Sequence, residues 1–169
     1  MLKKRMYFRE FDNLNAAFYK AKLELIPAVK DEMAILYVNS NNLGDEEHSQ
    51  ALFPILTFKL KNNIDSLLRL VDQVLFPLIE QIISGHKSEH KIQSFDILRV
   101  HHDRCISNIS ELRLLCNNYV TNTQWSNSKR KVCLNLYHLE QTLLAYINFM
   151  ENSIFPLLIP FTDNELISK

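Results

Sequence analysis

Residues 100–103 read Val-His-His-Asp and set two imidazoles and a carboxylate within a single helical turn. Imidazole nitrogen and carboxylate oxygen are the donors of non-haem metal sites, so His101, His102 and Asp103 are the first residues whose types suggest chemistry. Cys105 follows three residues after His102 on the same helical face. A thiol there is redox-active if exposed and a small hydrophobe if buried. Met150 and His102 together have the types of haem axial ligands. His86 and His90 are four apart with Glu89 between them, a weak metal spacing that also suits a solvated loop. The chain carries no Gly-rich phosphate loop, no Cys-x-x-Cys, no His-Glu-x-x-His and no Ser-His-Asp arrangement.

Four amphipathic segments must position these side chains. The first is expected at about residues 11–37, with Phe11, Leu14, Phe18, Ala21, Leu25 and Val29 on one face and a kink at Pro27. The second starts near His48 and ends at Ser84–Gly85, with Leu56, Leu60, Ile64, Leu67, Val71 and Val74 as its stripe. Pro54 is expected in its first turn or at a kink. The third, from about Ser94 to Val120, lines up Leu98, His102, Cys105, Ile109, Leu112 and Cys116. The fourth, from about Lys129 to Phe155, presents Val132, Leu136, Leu139, Leu143, Tyr146 and Met150. Pro156 and Pro160 should end it. Helices of this length span about 40 Å, and short connections make neighbours antiparallel. The expected fold is all-α, an antiparallel up-down four-helix bundle. One domain covers residues 1–169, with its core at about 11–157 and a short C-terminal tail.

Composition narrows the function classes. Hydrophobic residues make up 47 % and there are only two glycines and five prolines, which excludes a disordered or low-complexity chain. Lys plus Arg and Asp plus Glu are both 19, so the net charge is zero and no nucleic-acid partner is expected. The basic clusters at residues 3–5 and 129–131 read as solvated helix ends. No segment approaches the roughly 20 apolar residues of a membrane span, and no signal-peptide pattern opens the chain. The expectation is a cytoplasmic protein without a membrane partner. Cys105, Cys116 and Cys133 form a sparse, odd-numbered set, expected as reduced thiols.

Residues 67–77, LLRLVDQVLFP, and 146–156, YINFMENSIFP, share a pattern: apolar residues four apart, an acid, then an apolar pair closed by proline. They close the second and fourth helices, so the chain reads as a duplicated helical hairpin. With these endings and the VHHD of residues 100–103, the chain resembles the hemerythrin-like (HHE) proteins that repair iron–sulfur clusters after oxidative or nitrosative damage in bacteria. The similarity runs over roughly residues 18–158. Such proteins hold a non-haem di-iron centre between four helices.

That resemblance implies where metal ligands would stand. His102 takes a ligand place in the third helix and is the only such position still occupied by a ligand. The others are Phe18 in the first helix, Leu67 and Val71 in the second, and Tyr146 and Met150 in the fourth, all non-ligating. A further first-helix histidine would fall near Asn39. An aliphatic side chain offers no lone pair, and an uncompensated ion in an apolar core is costly. Asp72 and Glu151 follow ligand positions by one residue, a step of about 100° toward a neighbour or solvent. His102 is then expected as a core histidine satisfied by the Tyr146 hydroxyl.

The function expected is a non-catalytic binding or regulatory module in a stress-response context, without a cofactor. Its partner would be a protein or a small molecule. The alternative is a non-haem iron protein of the iron–sulfur repair or nitric oxide response, its ligands rearranged to draw on Asp72, His101, Asp103, Glu32 or Glu151. A third expectation is a homodimerising bundle with an apolar patch at Phe76, Phe155 and residues 157–161.

Overall fold

A computed structural model describes residues 2–43, 48–85 and 93–162, with side chains placed at 11–43, 51–85 and 95–161. Every regular element among them is helical, and the elements join into four rods. The first rod comprises α1 (Leu2–Lys20), a π-helical turn at Ala21–Leu25, and α2 (Ile26–Asn41). The second comprises α3 (His48–Leu70), a π turn at Val71–Leu75, and α4 (Phe76–Ile83). The third is α5 (Gln93–Leu115), closed by a 3-10 turn at Asn117–Tyr119. The fourth comprises α6 (Asn127–Phe149), a π turn at Met150–Ile154, and α7 (Phe155–Thr162).

The π turns correct two expectations about proline. Each sits just before an apolar–proline pair, Ile26–Pro27, Phe76–Pro77 or Phe155–Pro156. Proline lacks an N–H and its ring crowds the carbonyl four residues back. The turn widens instead of breaking: Ile26, Phe76 and Phe155 donate their N–H groups to the carbonyls of Ala21, Val71 and Met150, five residues back. Pro27 therefore follows a widened turn inside a continuous rod. Pro156 opens α7 rather than stopping the fourth rod, and Pro160 lies within that helix. Pro54 is likewise inside α3.

The apolar stripes close on one core. Leu60, Ile64, Leu67 and Val71 of the second rod are buried, as are Leu98, Cys105, Ile109 and Leu112 of the third and Leu136, Leu139, Leu143 and Tyr146 of the fourth. In the first rod the stripe steps by five across the π turn, from Ala21 to Ile26, and then resumes at Val29, Met33 and Leu36. The extra residue hands the core position from Leu25, only half-buried, to Ile26. α2 packs on α3 and α6, α1 on α4 and α7, α3 on α5, and α5 on α6.

Residues 127–161 also contain an 18-residue window of mean hydropathy 1.3, long and apolar enough by composition to cross a membrane. The expectation that no segment approaches this limit is corrected because the helix runs on through Pro156. Of that window 39 % is buried inside the molecule, and the core helix of a soluble protein has the same signature.

Candidate functional site

His102 is fully buried in α5, at the seam with the fourth rod. Its Nδ1 lies 2.9 Å from Glu151 Oε1, and this replaces the expected Tyr146 partner. A π turn rotates each residue through a smaller angle than an α turn, because more residues share the turn. Glu151, the second residue of such a turn, stays near enough to the seam for its carboxylate to reach inward. Burial lowers the His102 pKa below its ordinary 6.5, and the Glu151 hydrogen bond and charge offset part of that. Burial favours the neutral imidazole, and since a carboxylate only accepts, Nδ1–H donates to Glu151.

The other face of the ring has no such partner. His102 Nε2 and the Tyr146 hydroxyl are both buried and make no hydrogen bond among the described residues. Their rings meet edge to face at 5.9 Å. Phe155 stacks on His102 from a third side, with centroids 6.2 Å apart and planes 8° off parallel. Burial, with the nearby Cys105 and Asp72, pushes the Tyr146 hydroxyl pKa well up. Cys105 is buried, and its thiol is pushed up to about 12 by burial alone. Cys105 packs as part of the core.

The five positions expected around a metal converge as packing. Phe18 is 3 % exposed, and Leu67, Val71, Tyr146 and Met150 are each at 0 %. Phe18 packs edge-on against Phe76 at 5.0 Å. Asp72 and Asp103 are exposed, and His101 and Glu32 are half-buried. Asn39 bonds Asn135 across to α6 at 2.9 Å. This donor set does not fit a di-iron centre: no three His, Cys, Asp or Glu side chains gather around one point among the described residues. His86, Glu89 and His90 lie outside the described residues. The apolar patch expected at Phe76 and Phe155 is not a surface, since both rings are buried.

The cysteines also depart from expectation. Cys116 and Cys133 are joined as a disulfide with Cα atoms 5.5 Å apart, a spacing within the usual range. The bond ties the end of α5 to the second turn of α6 across the loop that includes the polar stretch at 121–128. In that loop Asn117, Asn118 and Tyr119 have φ of 47°, 51° and 67°. Asn tolerates this left-handed region, whereas a bulky residue such as Tyr enters it only under constraint. Tyr119 is pinned by its hydroxyl, which donates to the buried Glu140 carboxylate, itself bonded by Arg113 at 3.1 Å. Burial and that carboxylate raise the Tyr119 pKa.

Beside the disulfide the loop borders a half-open cavity of about 290 Å³, lined among others by Tyr119, Trp125, Arg130, Cys133, Leu134 and Tyr137. The Tyr119 and Tyr137 rings meet edge to face at 5.4 Å. In the sequence this cavity is marked only by Trp125 in the polar stretch 121–128. No family model matches the chain. No curated protein matches it. No solved structure matches it either.

Proposed function

We propose that this chain is an antiparallel up-down four-helix bundle of hemerythrin-like descent, its metal centre replaced by side-chain packing, and that it acts as a non-catalytic binding or regulatory module. The pairing of consecutive rods, and of the first with the fourth, supports the bundle. The observation that carries the functional reading is the filled interior. Leu67, Val71, Tyr146 and Met150 have no exposure, and the single imidazole among them commits Nδ1 to Glu151. A stress-response setting rests on the resemblance alone.

A second reading, a rearranged non-haem iron site, is favoured by one feature: His102 Nε2 is buried and without a partner, facing a hydroxyl in the same condition. Elemental analysis of protein grown with added iron and purified without chelator separates the two. The packed-core reading expects no stoichiometric metal. About one metal per chain, lost in His102→Ala, would establish the rearranged site, and about two would overturn the packed interior altogether.

A further inference from the structure

We propose that the cavity between Tyr119, Trp125 and Tyr137 is a binding site for a small aromatic carboxylate, with the ligand ring against the three aromatic side chains and its carboxylate on Arg130. The proposal rests on the reading of the chain as a binding module and names the class of molecule bound. At about 290 Å³ the space sits at the lower end of small-molecule pockets and suits one ring with a short acidic arm.

Charge selects the acid. Arg130 donates from Nη2 to the Thr123 carbonyl at 2.8 Å and has no acidic partner among the described residues. A guanidinium fork in this position takes a carboxylate through paired hydrogen bonds. The Lys129 ammonium lies over the Trp125 ring at 5.1 Å. Glu140, the partner of the lining residue Tyr119, is already engaged by Tyr119 and Arg113. Among the described residues no carboxylate lines the cavity, so an organic cation would meet the Arg130 guanidinium without a compensating acid, despite aromatic walls that otherwise suit one.

The walls are tied to one another by covalent and hydrogen bonds within the loop. The Cys116–Cys133 disulfide holds the two sides of the loop together. Asn122 Oδ1 accepts from the Gln124 N–H at 2.9 Å, and Ser126 Oγ caps α6 by accepting from the Lys129 N–H at 3.2 Å. Three consecutive left-handed residues, the last of them a tyrosine, are backbone strain held in place by that framework. A preformed pocket loses little on ordering when it binds. The site is also separate from His102. Cys133 and Glu151 are 18 residues apart on one helical rod, roughly 27 Å along it.

Trp125 is the only tryptophan in the chain, so its fluorescence reports on this cavity alone. The full-length protein is titrated at low salt with phenylacetate, phenylacetamide and phenethylammonium, and ligand-observed saturation-transfer NMR is run alongside. The expected result is a saturable response to phenylacetate at a concentration at least about tenfold below that for the amide, with the cation weakest. Arg130→Gln should abolish the preference for acid over amide while far-UV circular dichroism is unchanged. Equal binding of acid and amide, or preferred binding of the cation, would overturn the ligand class while leaving a binding module. Silence by both methods would overturn the pocket itself. Stoichiometric metal at His102 would instead unseat the packed-core reading without touching this titration.

Discussion

Deleting Glu151 should damage this protein more than deleting the histidine it supports. The asymmetry follows from where the two side chains sit. The His102 side chain is 1 % exposed and that of Glu151 is 36 % exposed. In Glu151→Ala the imidazole stays buried with Nδ1–H unbonded, and Nε2 already has no partner. A buried polar group stripped of its partner costs about 1–3 kcal/mol. Alanine itself favours the helix, so local propensity does not add to the loss. In His102→Leu two buried polar atoms disappear and Glu151 turns to the water it already touches, so the change should be close to neutral. The double variant should match His102→Leu to within about 0.5 kcal/mol, because the bond it lacks is already gone. Urea unfolding followed by far-UV circular dichroism measures all four proteins, with constant m-values confirming that midpoints report stability. A loss in His102→Leu equal to or greater than that in Glu151→Ala would refute the reasoning, since it would mean that the imidazole holds something beyond its carboxylate.

The unpartnered Tyr146 hydroxyl predicts that Tyr146→Phe gains about 1 kcal/mol, seen as a rise of about 2–4 °C in the thermal midpoint; a loss of that size would show that the hydroxyl has a partner. Reducing Cys116–Cys133, which are 17 residues apart, should cost about 3 kcal/mol, read as the shift in urea midpoint with and without reductant. Acid should destabilise the fold through its histidines. His101 and His102 both have folded pKa values below 6.5, so the unfolded chain takes up protons first as pH falls. Their contribution is complete above the unfolded pKa and is lost as pH drops through 6.5 toward the folded values. Urea midpoints taken from about pH 5 to about pH 8 should rise with pH, and His102→Leu should flatten the curve.

The four segments and most of their buried stripes were legible in the sequence because a helix repeats every 3.6 residues whatever it packs on. Leu60, Ile64 and Leu67 fall on that period and are buried. What escaped was each place where the period breaks. Leu25 belongs to the simple stripe, yet Ile26 takes the core, because a single inserted residue shifts the register by about 100°. The same insertion hid the His102–Glu151 pair, since an ideal helix turns Glu151 away. The disulfide escaped because Cys116, just past the end of α5, and Cys133, in α6, meet only through the turn between them. Asn117 and Asn118 hinted at left-handed backbone; nothing in the sequence put Tyr119 there too.

The proline endings deserve a different weight once the first rod is compared with the second and fourth. Residues 21–27 read AKLELIP, and they carry the same π turn as VDQVLFP at 71–77 and MENSIFP at 150–156. In all three the π turn opens six residues before the proline on a fully buried residue: Ala21, Val71 or Met150. The carbonyl four residues before each proline belongs to Leu23, Gln73 or Asn152, all exposed, so the group that loses its α-helical donor faces water. The motif is therefore a packing device. It lets a rod carry proline on its outer side while aiming a chosen residue at the interior and shifting the next apolar pair into the core. Alanine, valine and methionine satisfy the device equally well. Two of those three positions are where the resemblance would place a metal ligand, so these endings are explained by backbone geometry whether or not a ligand stands there. A kinship argued from them speaks for the frame of the fold, and only the side chains at 67, 71, 102, 146 and 150 speak for what the interior does.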